Sequence, residues 1–96
     1  MSTTIEELLK SREETYGRFE EFAAYAVDLK RVLRNSPTFS QNMPAYQTEA
    51  LELIAHKIAR ILNSPECIYS DSWRDIAGYA MLVVNELNRH RNTDEP

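Results

Sequence analysis

Residues 71–87 read D-S-W-R-D-I-A-G-Y-A-M-L-V-V-N-E-L, and this stretch decides how the chain folds. At 100° per residue, its apolar side chains share one broad arc of a helix, with a narrower acidic stripe beside the arc. The arc consists of Trp73, Ile76, Ala77, Ala80, Val83, Val84 and Leu87. The stripe consists of Asp71, Asp75, Tyr79 and Glu86. The pattern predicts an amphipathic helix whose acids either face solvent or converge on a site.

The composition of the whole chain narrows the class of protein. Ninety-six residues suit one domain, and 43% hydrophobic with 27% charged residues is ordinary for a globular fold. A net charge of −4 without a dense basic block argues against a nucleic-acid partner. No apolar run approaches the roughly 20 residues that span a bilayer, and the polar N-terminus is unlike a signal peptide. With its lone Cys67, which fits a reducing compartment, the chain is expected in the cytoplasm, away from membranes.

Periodicity predicts a small all-α bundle of three to four helices in a single domain, residues 1–96. Thr3 with Glu6, and Thr4 with Glu7, are capping-box pairs that predict a helix start. The predicted helices cover about 4–34 with a possible break at Gly17, then 44–63 and 71–89, and the tail 90–96 is expected to be frayed. A bend at Gly17 is expected because an unbroken first helix would be about 45 Å long.

Some side chains do not fit a self-contained bundle. Val32, Met81 and Leu82 lie outside the main apolar faces, which predicts that homo-oligomerisation completes the fold. Arg12 and Lys30 interrupt the apolar stripe of the first helix, with Glu20 at its edge. These three charges either rise to solvent over their apolar stems or mark a polar pocket, and the sequence leaves both interpretations open.

Two pairs of acids have the spacing of metal ligands. Glu49 and Glu52 are three residues apart on one predicted helix, and Asp71 and Asp75 are four apart on the next. If the two helices pack, four carboxylates could meet, and a hard cation such as Mg²⁺ would have to neutralise them. The alternative is structural, because Asp71 suits a helix cap and Glu49 and Glu52 share a face with His56 and Arg60 that would be solvated.

Three segments of the chain resemble a known group of proteins. The helix E-A-L-E-L-I-A-H-K-I-A-R-I-L-N (49–63), the stretch D-S-W-R-D-I-A-G-Y-A (71–80) and R-x-x-T-Y-G-x-F (12–19) are similar to small, mostly phage-encoded proteins of unknown function. The resemblance runs from about Leu9 to Leu87. That group in turn resembles the MazG-like all-α nucleoside triphosphate pyrophosphohydrolases, which are usually dimers or tetramers and hold Mg²⁺ with E-x-x-E and E-x-x-D.

The resemblance implies roles for particular residues. Glu49, Glu52, Asp71 and Asp75 would hold Mg²⁺, and Glu52 and Asp75 are the candidate catalytic carboxylates that polarise a metal-bound water. The expected ligand-binding residues are Arg12, Tyr16, Lys57, Arg60 and Tyr79. This chain departs from the family pattern because its second motif is D-x-x-x-D.

Three functions therefore remain open. The first is a Mg²⁺-dependent nucleoside triphosphate pyrophosphohydrolase. The second is an oligomeric protein that binds a nucleotide, or a cyclic-nucleotide signal of host defence, without turning it over. The third is an accessory protein that acts through a protein interface.

Overall fold

The computed structural model describes residues 3–94, which form four α-helices and one short π-helical turn and contain no β-strand. The helices are α1 (Ile5–Tyr16), α2 (Phe19–Asn35), α3 (Ala45–Asn63) and α4 (Asp71–Asp94), and the π-helical turn is Thr38–Asn42. The prediction of a small all-α bundle is confirmed. No helix in the described part of the chain is long and apolar enough to cross a bilayer.

Both ends of α1 follow from local chemistry. The Thr4 hydroxyl accepts a hydrogen bond from the Glu7 backbone N–H at 3.1 Å, so one of the two predicted capping pairs starts the helix. The helix ends where Gly17 has φ +84° and ψ −178°, a conformation open to glycine alone. The Asn63 side-chain amide then donates to the backbone oxygens of Tyr16 and Arg18, both at 2.9 Å. This clasp fastens the α1–α2 turn to the end of α3.

The segment between α2 and α3 is more ordered than its turn-rich composition suggested. The Ser36 hydroxyl accepts a hydrogen bond from the Phe39 N–H at 3.2 Å, and the Ser40 hydroxyl donates to the Arg34 carbonyl at 2.6 Å. These bonds close the π-helical turn. Pro44 occupies the N-cap position of α3.

The C-terminal helix is longer than predicted. Instead of ending near Arg89, α4 continues to Asp94. Of the tail that was expected to be frayed, residues 95 and 96 lie outside the described part of the chain.

Helix α3 lies in the middle of the fold. It packs against α2 on one side and α4 on the other, whereas α1 touches it only near the Asn63 clasp. The residues buried at these contacts are small: Ala26 of α2, and Ala50, Ala55 and Ala59 of α3. No large side chain among the described residues is fully buried. Because α3 is flanked on both sides, Glu52, His56, Lys57 and Arg60 are half-buried, whereas Glu49 near its start is exposed.

The apolar arc of α4 is mostly uncovered. The positions buried or half-buried against α3 are Ser72, Ile76, Tyr79, Val83 and Glu86, which combine one edge of the arc with the acidic stripe. Five further apolar positions form what we call the α4 apolar face: Ala77, Ala80, Met81, Val84 and Leu87. All five are exposed, and Val84 retains 45% of its accessible surface.

The single chain is therefore open and elongated. Its radius of gyration is 16.8 Å, whereas a compact domain of this length has about 12.5 Å. Its accessible surface is 7526 Å², about 1,900 Å² more than the roughly 5,700 Å² of a folded monomer of this mass. Exposed apolar residues also line α1, where Ile5 is 72% accessible.

Candidate ligand-binding site

The four carboxylates expected to hold a metal do not form one cluster. Within the described residues, no group of three or more His, Cys, Asp or Glu side chains is arranged to hold a metal ion. Glu49 and Asp71 are exposed. Glu52 and Asp75 are each paired with a cation. Glu49, Glu52, Asp71 and Asp75 therefore do not converge within the described part of a single chain, and their role as metal ligands stays a prediction.

Each of the two candidate catalytic carboxylates has a structural partner. Asp75 of α4 lies 2.9 Å from the Lys57 ammonium of α3, and this pair is partly shielded from solvent. Glu52 of α3 lies 3.5 Å from the Arg34 guanidinium of α2. The two pairs therefore link α3 to its neighbours on both sides. Partly exposed pairs of this kind contribute at most about 1 kcal/mol each.

The register of α3 against α4 explains why the acids are separated. The two helices are joined by a short connection and run antiparallel, with Lys57 level with Asp75. Near the other end of α4, His90 stacks on Tyr46 with ring centres 5.7 Å apart. Glu49 precedes Lys57 by eight residues, about 12 Å along the helix axis. The first acidic pair is consequently opposite the later turns of α4, away from Asp71 and Asp75.

A group of cations lies instead on the side of α3 that faces α2. We call Lys30, His56 and Arg60 the cationic group. All three side chains are half-buried, and neither Lys30 nor Arg60 forms an ion pair with any described residue. In a chain with a net charge of −4, this is a local excess of positive charge. Such a surface attracts anions.

Aromatic rings border the cationic group. The guanidinium carbon of Arg60 lies 5.2 Å from the centre of the Tyr16 ring and 5.7 Å from that of Phe22. The Phe22 ring meets the His56 ring edge-on at 6.1 Å. Arg60 is held by these rings without losing its donors to a carboxylate, so its N–H groups remain free for a ligand.

The electrostatic effect of this arrangement is visible at His56. Burial and the neighbouring charges of Lys30 and Arg60 lower the pKa of its imidazole below the ordinary value of 6.5, with a smaller effect from Lys57. The charge of Glu52 raises the pKa of His56, but by less than the other effects together lower it. At neutral pH His56 is therefore mostly uncharged, ready to accept a proton if an anion arrives.

The structure brings together only part of the predicted ligand-binding set. Tyr16 and Arg60 are in contact. Lys57 lies on the far side of α3, engaged by Asp75. Arg12 is exposed on α1, and Tyr79 is half-buried on α4. Of the charges that interrupt the first apolar stripe, Arg12 and Glu20 are exposed and Lys30 alone is half-buried.

Sequence reasoning missed Phe22 and His56. Both signals were present, since His56 precedes Arg60 by one helical turn and Phe22 belongs to the apolar stripe of the first helix. The error was to treat the Glu52–His56–Arg60 stripe as solvated. That assumption fails because α3 is the central helix and turns this stripe toward α2.

An open cleft lies near the N-terminal end of α3, away from Arg60. It has a volume of about 530 Å³ and is bordered by Arg34, Phe39, Met43, Thr48 and Glu52 among others. Its two charged residues, Arg34 and Glu52, are paired with each other. The cleft therefore offers a ligand no uncompensated charge.

The fold and site define a small all-α domain with a cationic, aromatic-bordered surface. A family model described as a domain of unknown function (DUF6378) matches residues 1–87, so the chain belongs to that family. No curated protein and no solved structure matches the chain.

Proposed function

We propose that the protein binds a phosphorylated, nucleotide-derived small molecule without hydrolysing it, and that it does so as a homo-oligomer. The observation that carries the proposal is two half-buried cations that form no ion pair with any described residue. Arg60 lies beside the Tyr16 and Phe22 rings, and the charge of Lys30 acts on His56, which meets Phe22 edge-on. Guanidinium and ammonium groups are the side chains that bind phosphate, and aromatic rings stack on bases.

The ion pairs of Asp75 and Glu52 favour the binding function over the hydrolase. Water attack on a triphosphate in the MazG-like manner requires several carboxylates around one cation. Here Asp75 neutralises Lys57 and Glu52 neutralises Arg34, so these acids stabilise helix packing. Mg²⁺-dependent turnover remains a prediction that needs the two acidic pairs to meet between copies of the chain. Sequestration of a host-defence nucleotide fits the binding function and the resemblance to phage-encoded proteins.

The oligomer is supported by what a single chain leaves exposed. If each copy buried the surplus of about 1,900 Å², a dimer interface would total about 3,800 Å², within the range of obligate homodimers. The α4 apolar face and the exposed Ile5, Leu8 and Leu9 of α1 are the surfaces available for it. We infer that a second copy of the chain covers these surfaces. A fold that buries mainly alanines needs a permanent partner, and the chain itself is always available as one.

The binding proposal is tested by calorimetric titration with pyrophosphate and with ATP, each with and without Mg²⁺. Both ligands are expected to bind, and Arg60→Met is expected to weaken binding by about tenfold or more because a charge-assisted contact is lost. Arg31→Met is the matched control, since Arg31 is an exposed arginine already paired with Asp28 at 3.0 Å. We expect no pyrophosphate release from ATP.

Three outcomes would count against this function. Absence of binding by either ligand would refute the anion site, as would equal affinities in the Arg60→Met and wild-type proteins of unchanged helicity. Mg²⁺-dependent turnover that disappears in Asp75→Asn would establish the hydrolase instead.

Binding at the cationic group should depend on pH through His56. A bound phosphate offsets Lys30 and Arg60 and raises the pKa of the imidazole, so binding takes up a proton and affinity rises as the pH falls from about 7.5 to about 5.5. The stability of the free protein has the opposite dependence on pH. Since the folded pKa is below the unfolded value, stability is lost as the pH falls through 6.5. Titrations and thermal melts at several pH values measure both trends.

The phosphate itself also titrates in this range, so the control is His56→Gln measured with the same ligand. The difference between the two proteins isolates the contribution of the imidazole. Identical pH profiles for affinity would show that His56 does not face the anion.

A further inference from the structure

A second cleft is bordered by the Tyr16 ring. It has a volume of about 180 Å³ between the end of α1, the connection from α3 to α4, and the start of α4. Its lining includes the aromatic side chains Tyr16, Tyr69 and Trp73, together with Ile61. The Tyr16 and Tyr69 rings are 6.5 Å apart and inclined at 53°. Trp73 keeps 60% of its surface accessible, so its ring is available to a ligand.

The charges around this cleft are the reverse of those in the cationic group. Of the residues that the structure describes, no Lys or Arg lines the cleft, and Glu66 is its one charged lining residue. An acid at the rim disfavours a phosphate, whereas three aromatic rings favour a flat, uncharged ring system. The cleft therefore suits the end of a ligand that carries no phosphate.

The two sites share one side chain. Arg60 contacts the Tyr16 ring at 5.2 Å, and the same ring lies 6.5 Å from Tyr69 in the cleft. The Arg60 guanidinium and the centre of the Tyr69 ring are thus no more than about 12 Å apart. A base joined through its sugar to one or more phosphates spans such a distance.

We propose that this aromatic cleft binds the nucleobase of the ligand whose phosphates occupy the cationic group. The inference rests on the proposed function, because it assumes a phosphorylated ligand at Arg60. It adds that recognition is bipartite: the cations hold the phosphate, and Tyr16, Tyr69 and Trp73 stack on the base. Stacking of this kind tolerates different bases, since every base has a π-face.

The chain carries two natural reporters in the cleft, its only Trp and its only Cys. Cys67 lines the cleft and is exposed, so its reaction with a thiol reagent reports access. ATP is expected to quench Trp73 fluorescence and to slow the labelling of Cys67. Pyrophosphate, which has no base, is expected to bind without either effect.

Tyr69→Ala is expected to weaken ATP binding about tenfold to a hundredfold, while the affinity for pyrophosphate stays unchanged. Tyr25→Ala is the matched control, because Tyr25 is an exposed tyrosine on α2 that does not line the cleft. Circular dichroism of each variant establishes that the helices are retained.

The outcomes separate this inference from the function on which it rests. If ATP and pyrophosphate bind with equal affinity and equal dependence on Arg60, with Trp73 and Cys67 unaffected, the base site is refuted and the anion site stands. If neither ligand binds, the proposed function fails and the base site fails with it. Half-maximal protection of Cys67 at the same ATP concentration in the Tyr69→Ala and wild-type proteins would also refute stacking in this cleft.

Discussion

A glutamate in place of Val84 is expected to abolish assembly and, at micromolar concentration, most of the helical fold. Val84 lies at the centre of the α4 apolar face, 45% exposed in the single chain. In a symmetric dimer the substitution would place one unpaired charge per copy in an apolar interface, and each costs several kcal/mol. Among the residues that the structure describes, the single chain has no fully buried large side chain with which to compensate this cost.

Light scattering coupled to gel filtration measures the assembly, and circular dichroism measures the helix content. Asn85→Glu is the control, because it adds the same charge at the next position, about 100° round the helix. A wild-type protein that elutes as a monomer, with Val84→Glu equally helical, would refute the oligomer. In that case an exposed valine would tolerate a charge within about 0.5 kcal/mol.

Alanine at Gly17 is expected to destabilise the protein by about 3 kcal/mol, lowering its melting temperature by some 12–20 °C. Two effects add. The φ of +84° with ψ near 180° is strained for any residue with a Cβ, and that Cβ would collide with the backbone oxygen of Asn63. The collision falls on the residue whose amide holds the backbone of Tyr16 and Arg18. Any movement that relieves the backbone strain at residue 17 or the collision with Asn63 would therefore break the clasp.

Gly78 provides the opposite case in the same chain. It sits within α4, and an added Cβ would meet no atom within 4 Å. Gly78→Ala should stabilise the protein by up to about 1 kcal/mol through helix propensity. Thermal melts of both variants at one protein concentration decide the point, and equal melting temperatures would contradict the assigned role of Gly17.

The helices themselves were accessible from sequence because local signals specify them. Periodicity, the Thr4–Glu7 capping pair and Gly17 predicted where helices would form and where the first would break. Pro44 likewise marked the start of α3, although it serves as the cap itself. What periodicity does not contain is which neighbour each face meets. For that reason the apolar arc of α4 was expected inside the fold, and much of it lies outside.

The site was harder to predict because it depends on register between helices. Acid spacing within a helix is readable, but whether Glu49 comes level with Asp75 depends on how far α3 slides past α4. The Lys57–Asp75 and Tyr46–His90 contacts set that offset, and no local pattern encodes them. Arg60 and Tyr16 were recognised as ligand-binding candidates individually. Their contact follows from the Asn63 clasp, which joins residues 47 positions apart.

The alanines between the helices have a consequence for the kinetics of folding. An isolated chain that buries Ala26, Ala50, Ala55 and Ala59 gains little from collapse, so its helices are expected to form and dissolve readily before it meets a second copy. If the chain assembles as proposed, the committed step of folding is an encounter between two chains, and its rate rises with concentration. At a low level of expression the protein would then fold and assemble slowly, whereas rapid synthesis would give mostly the assembled form.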